Sequence, residues 1–168
     1  IPNVYNIIMP SIDIAPDNIP FKKKLTLSYY DNSKGGIFQY KNNNWTFVQV
    51  SDTDSLKTNI STGGTFAILD ESNKPSIKNI FPNKNSIYKL DDITSISFNV
   101  IDNESGINYN EIEIKANNKK LYYNYIPYRD LVTAKTNGEI KKGENNISIE
   151  CKDNLGNTRN IQFNFIVE

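Results

Sequence analysis

Histidine is absent from all 168 residues. Its absence removes Ser-His-Asp and Cys-His nucleophile activation, and every zinc site that needs imidazole. An enzyme built on this chain would have to rely on paired carboxylates or on lysine. Cysteine occurs once, at Cys151, so an internal disulfide is excluded. Cys151 falls on the apolar side of an alternating run, where a free cysteine acts as a small hydrophobe. Neither sign of charge is in excess: 19 Lys+Arg stand against 19 Asp+Glu. A nucleic-acid binder would show a basic surplus or a basic face. Long apolar runs are missing too, and none approaches the roughly 20 residues of a membrane span. The chain starts at Ile1 rather than Met and reads as a processed product or an excised piece. A missing leader therefore says nothing about compartment.

Tyrosine, isoleucine and asparagine are abundant, and aromatic and β-branched residues favour sheets. Two corners organise the second half: Ile101-Asp102-Asn103-Glu104-Ser105-Gly106-Ile107 and Lys152-Asp153-Asn154-Leu155-Gly156-Asn157. They are expected to sit side by side. Ile96, Phe98 and Val100 alternate with polar residues before the first corner, and Ile147, Ile149 and Cys151 do so before the second. Ile161, Phe163, Phe165 and Val167 continue the pattern after it. Period-two alternation reads as strands with one buried face. Gly106 and Gly156 supply the positive φ that a reversing chain needs.

Pro2, Pro10, Pro16 and Pro20 argue against central strands near the start, leaving a short edge strand at Ile12–Ile14. Lys22, Lys23 and Lys24 precede an expected strand over Lys24–Tyr30 and protect an exposed edge. A hairpin is predicted from Ile37–Tyr40 through a turn at Lys41-Asn42-Asn43-Asn44 to Trp45–Val50. Strands over Leu56–Ile60 and Thr65–Leu69 follow. The polar run Asp70–Pro75 marks a domain boundary. The reading is all-β, with two β-sandwich modules in tandem: residues 1–72, thin for an independent core and lacking strands at its N-terminus, and residues 73–168, immunoglobulin-like. Its expected strands are Ile77–Phe81, Thr94–Val100, Asn110–Ala116, Lys120–Tyr125 after a turn at Asn117-Asn118, Leu131–Lys135, and a final pair after a turn at Lys142-Gly143-Glu144-Asn145. Seven strands over about 93 residues suit that second assignment.

The second module resembles the bacterial immunoglobulin-like domains of secreted or cell-envelope proteins. The matching pieces are the run to VIDNESGI, then IPYRDLVTAK and IKKGENNISIECKDNLGN, in that order over residues 96–157. The first module resembles the repeat that often precedes such a domain, through IDIAPDNIPFKKKLTLSYY, GGIFQYKNNNWTFV and GGTFAILDESNKPSI. The tandem is similar to the C-terminal tail of lysostaphin-type zinc endopeptidases, which cut peptidoglycan. The peptidase's zinc-binding His and Asp motifs are not in this chain. The resemblance implies a non-catalytic tail, located outside the cell, on its surface or in the periplasm. Other domains of a parent protein would be its partners.

Several constellations carry a functional and a structural reading. Asp102, Glu104 and Asp153 could converge where the corners meet and offer hard oxygens to Ca²⁺; alternatively Asp and Asn hold their own turns. Tyr122, Tyr123, Tyr125 and Tyr128 form an aromatic cluster that could stack on sugars or pack across strands. Alternation puts Tyr123 and Tyr125 on one face and Tyr122 on the other. Trp45 is either a core anchor or a carbohydrate platform. The acidic pairs Asp52/Asp54 and Asp91/Asp92 suit turns better than a glycosidase, which needs two carboxyls across a cleft. No cofactor is expected beyond calcium at the corner. The functional expectation is a structural, positioning or adhesion module without catalysis. Its rivals are a carbohydrate- or cell-wall-binding module using Trp45, Tyr122, Tyr125 and Tyr128, and a self-associating fibre subunit that accepts a strand from a neighbour.

Overall fold

The fold is a computed structural model that describes residues 5–17, 19–29, 35–49 and 56–168. It is all-β. Among the described residues, helical backbone is limited to single 3-10 turns at Leu90–Asp92, Tyr109–Glu111 and Pro127–Arg129. None is long and apolar enough to cross a membrane. The chain divides into two compact units, Ile1–Asn73 with Asn103–Gly106, and Lys74–Asp102 with Ile107–Glu168. Pro2, the strand ends Tyr30 and Val50, and the pair Asp52/Asp54 lie outside the described residues.

The first unit holds β1 (Tyr5–Ile14), β2 (Pro20–Tyr29), β3 (Gly36–Lys41), β4 (Asn44–Gln49), β5 (Leu56–Thr62) and β6 (Gly64–Glu71). One sheet has the order β1-β6-β3-β4, and β2 pairs with β5 in another. Tyr29, Leu56 and Ile60 from the two-stranded sheet meet Ile37, Phe66 and Ile68 from the four-stranded one. β1 is longer than the short strand expected from its prolines. It lies at the sheet edge, and register shifts flank Pro10 on its pairing with β6. Bulges at an edge accommodate a residue with no amide donor. The β3–β4 hairpin forms as expected. Its turn residues Asn42 and Asn43 have φ of 52° and 61°, the backbone of a two-residue I′ turn. Between β5 and β6 the chain changes sheet at Gly63. A Cβ there would sit 2.2 Å from the Ile14 carbonyl oxygen, so the crossing requires glycine.

The second unit holds β7 (Ser76–Phe81), β8 (Ile87–Tyr88), β9 (Ser95–Ile101), β10 (Glu113–Ala116), β11 (Lys119–Lys120), β12 (Tyr123–Ile126), β13 (Leu131–Lys135), β14 (Gly143–Lys152) and β15 (Thr158–Val167). The sheet orders are β12-β13-β9-β7 and β11-β10-β14-β15-β8. Inward residues of both sheets form one core: Ile96, Phe98 and Val100 of β9 and Val132 of β13 share it with Ile147 and Ile149 of β14 and Phe165 of β15. The alternation read for β9, β14 and β15 is therefore the core face. Asn117 and Asn118, with φ of 50° and 68°, turn β10 into β11.

Two details differ from the sequence reading. The expected strand Lys120–Tyr125 is split, because the chain crosses from one sheet to the other at Leu121-Tyr122. Leu121 is buried where it crosses, and that packing overrides the continuous alternation. The second difference is β8, two residues running parallel to the end of β15, with Ile166 opposite Ile87. A pair so short carries no periodic signal.

Candidate functional site

The second corner sits directly against the start of the segment that leaves the first. The Asn108 N–H donates to the Lys152 carbonyl at 3.0 Å, and Ile107 bridges to Asp153. Gly106 and Gly156 have φ of 82° and 90°, as a reversing chain requires. Asp153 is 1% exposed. One of its carboxylate oxygens accepts from the Leu155 N–H at 2.9 Å and the Asn157 N–H at 2.8 Å. The other accepts from Asn157 Nδ2 at 2.8 Å. The carboxylate thus satisfies amides that the corner would otherwise bury unpaired.

Asp102 is half-buried, and its carboxylate comes within 4.8 Å of that of Asp153. Glu104 accepts from Asn73 Nδ2 at 3.3 Å. The three hydrogen bonds that Asp153 accepts hold its own turn, the structural alternative for this residue. Lys152, beside it, has a raised pKa because Glu111 hydrogen-bonds and attracts its ammonium, 2.8 Å away. Cys151 is fully buried in the core, and burial pushes its thiol up to about 12. It is inert packing, as its place in the alternation implied.

The aromatic candidates separate. Tyr122 and Tyr128 are 86% and 80% exposed. The Arg129 guanidinium lies over the Tyr128 ring at 5.3 Å. Tyr123 and Tyr125 pack against the core instead. Tyr125 stacks on Tyr109 with centroids 6.2 Å apart, and burial and the nearby Asp130 charge raise its phenol pKa. The Tyr123 hydroxyl donates to the Tyr109 carbonyl at 2.5 Å. Trp45 is 5% exposed and packs across the hairpin on Tyr40. It is a core anchor, with little ring face left for a sugar. Asp91 and Asp92 are exposed in a 3-10 turn, not set across a cleft.

Three polar residues were not singled out by sequence. Glu71, assigned to the boundary loop, is the buried last residue of β6, and its carboxylate accepts from the Ser105 N–H at 3.1 Å. Its signal is that it continues the Phe66–Leu69 run in strand register. Asn145 is fully buried. Its Nδ2 donates to the Lys141 and Gly143 carbonyls, and its Oδ1 accepts from the Lys141 N–H and Asn117 Nδ2. Asn117 in turn accepts from the Asn146 N–H and donates to the Glu139 carbonyl, so the two amides lock three turns together. The sequence marks both as turn residues, while the bonds that tie the turns to one another need the fold.

No protein-family model matches this chain, and no curated protein matches it either.

Proposed function

We propose that this chain is a non-catalytic positioning and adhesion module of a secreted or surface-attached bacterial protein, in the manner of a peptidase tail. The observation that carries the reading is where the buried polar groups go. Asp153 and Asn145 both spend their polar atoms on holding backbone in place. Such side chains give rigid shape to a scaffold whose loops are then free to vary. An immunoglobulin-like second unit is part of the proposal. What supports it is a β7-β9-β13-β12 sheet facing a sheet in which β10, β14 and β15 are neighbours, around one core. The first unit is proposed as a smaller sandwich on the strength of its shared two-sheet cluster.

The test is retention without turnover. The chain fused to a fluorescent protein is expected to pellet with intact bacterial cells and with insoluble peptidoglycan. It is expected to release no soluble fragments from either. Release of muropeptides, or equal pelleting by the fluorescent protein alone, would remove the proposal.

One observation favours a glycan as the adhesive partner. Tyr122 and Tyr128 present nearly whole rings on the second unit. Stacking on such rings suits a sugar face. Tyr122→Ala with Tyr128→Ala is then expected to abolish pelleting while the melting temperature stays put. Unchanged pelleting points to another surface.

A further inference from the structure

β15 has a partner along only part of its outer edge. Beyond β14 on one side, its other side meets β8 at Ile166 and Val167 alone. The Asn85 N–H donates to the Asn164 carbonyl, and the Ile166 N–H donates to the Ser86 carbonyl. Residues 164 and 166 therefore aim their backbone groups outward. By the period of two, so do Asn160 and Gln162. Among the described residues, neither has a backbone partner on that side.

The stretch is bounded at both ends. Above it lie the Asn85 and Ser86 hydrogen bonds. Below it Arg159 Nε donates to the Pro75 carbonyl at 2.9 Å. Between them a groove of about 740 Å³ runs between β7 and β15. Its floor is Ile77, Ile80, Ile161 and Phe163. The three isoleucines pack on the core yet stay partly open to the groove. The groove forms because β7 belongs to one sheet and β8 to the other, so the crossing at Phe81-Pro82 leaves the gap uncovered.

The charges lining the groove have one sign. Lys78 and Lys84 line it, both exposed, and no carboxylate does. Among the described residues neither lysine is in an ion pair. An occupant must bring apolar side chains to the floor, backbone groups to β15, and negative charge to the rim. We infer that the groove receives a short extended peptide of a partner protein, added as a strand along Asn160–Phe163, with apolar side chains inward and carboxylates beside Lys78 and Lys84. The open stretch accommodates about four residues, roughly 13 Å of strand. Main-chain pairing gives the affinity, and the alternate side chains give the choice of partner.

The test uses the whole chain, isotopically labelled for amide NMR. The probe is a capped octapeptide of alternating Glu and Val. Shifts are expected at Ile77–Lys84 and Asn160–Phe163, and affinity should fall with added salt. The Lys-Val counterpart should bind roughly tenfold more weakly. Lys78→Glu with Lys84→Glu, both at exposed positions, should reverse that order. Methylating the peptide's alternate amide nitrogens should abolish binding, since it removes the donors that strand addition uses. Equal binding of both peptides, indifference to N-methylation, or shifts confined to other residues would overturn the inference. So would broadening of the groove signals on concentration alone, which would make a second copy of the chain the occupant.

Discussion

The two units are both sheet-built, but they are held together differently. In the second, seventeen buried residues from two sheets form one cluster. Polar anchors at Asp153 and Asn145 fix its turns. In the first, six buried residues form the shared cluster among the described residues, and two of its six strands stand as a separate pair. Hydrophobic stabilisation follows apolar area removed from water, so the first unit is expected to unfold before the second. The contrast teaches that strand content alone does not measure stability. What counts is how many alternating faces share one interior.

The sequence contains one tryptophan and one cysteine, and each reports a different unit. Trp45 is buried in the first, and Cys151 in the second. In urea, Trp45 fluorescence is expected to change at lower concentration than Cys151 becomes open to a thiol reagent. Coincident transitions would erase the contrast.

The largest mutational effect should come from Phe98→Ala, which empties the centre of the larger core. A loss of about 3–5 kcal/mol is expected, read as a shift in the Cys151 transition, with Trp45 moving less. Asp153→Ala should follow, at about 2 kcal/mol, because it takes the charged acceptor away from the part-buried Leu155 and Asn157 amides. Asp153→Asn keeps one acceptor oxygen and should recover part of that loss. Asn145→Ala should cost about 1–2 kcal/mol by releasing two turns.

The smallest effect is with pH. The folded Cys151 thiol has its pKa raised to about 12 by burial, above its ordinary 9.0. Its contribution is therefore complete below pH 9 and is lost as pH rises toward 12, since the unfolded chain releases the proton first. By pH 10 the second unit should lose roughly 1 kcal/mol, and Cys151→Ser should flatten that slope. An equal slope in the variant would assign the loss to tyrosines.

Legibility in the sequence followed the same contrast. β9, β13 and β14, and β15 from Phe163 on, alternate because one face of each is turned into the core, so their patterns could be read directly. The Asn42-Asn43 hairpin was legible from turn chemistry. β1 was foreshortened because Pro10 argues against a strand unless the edge position is known. The sheet change at Leu121 was illegible because tertiary packing decides it. Of the site, Asp153 could be read as a turn residue from its neighbours Gly156 and Asn157. Glu71 was passed over because a carboxylate after an apolar run looks like the start of a loop, although it keeps the strand register of Phe66–Leu69. Tyr109 had no strand pattern to place it beside Tyr125.

The left-handed turns have a consequence of their own. Every described non-glycine residue with positive φ is an asparagine except Asp130. The chain has 26 asparagines and only 8 glycines. Asparagine tolerates that backbone while keeping a side chain that restricts the unfolded chain more than glycine would. At Asn117 it also contributes an amide to the neighbouring turns. Slow hydrolysis of these amides to carboxylates would give the molecule negative charge at its bends, so its chemical ageing should begin there and leave the strands for last.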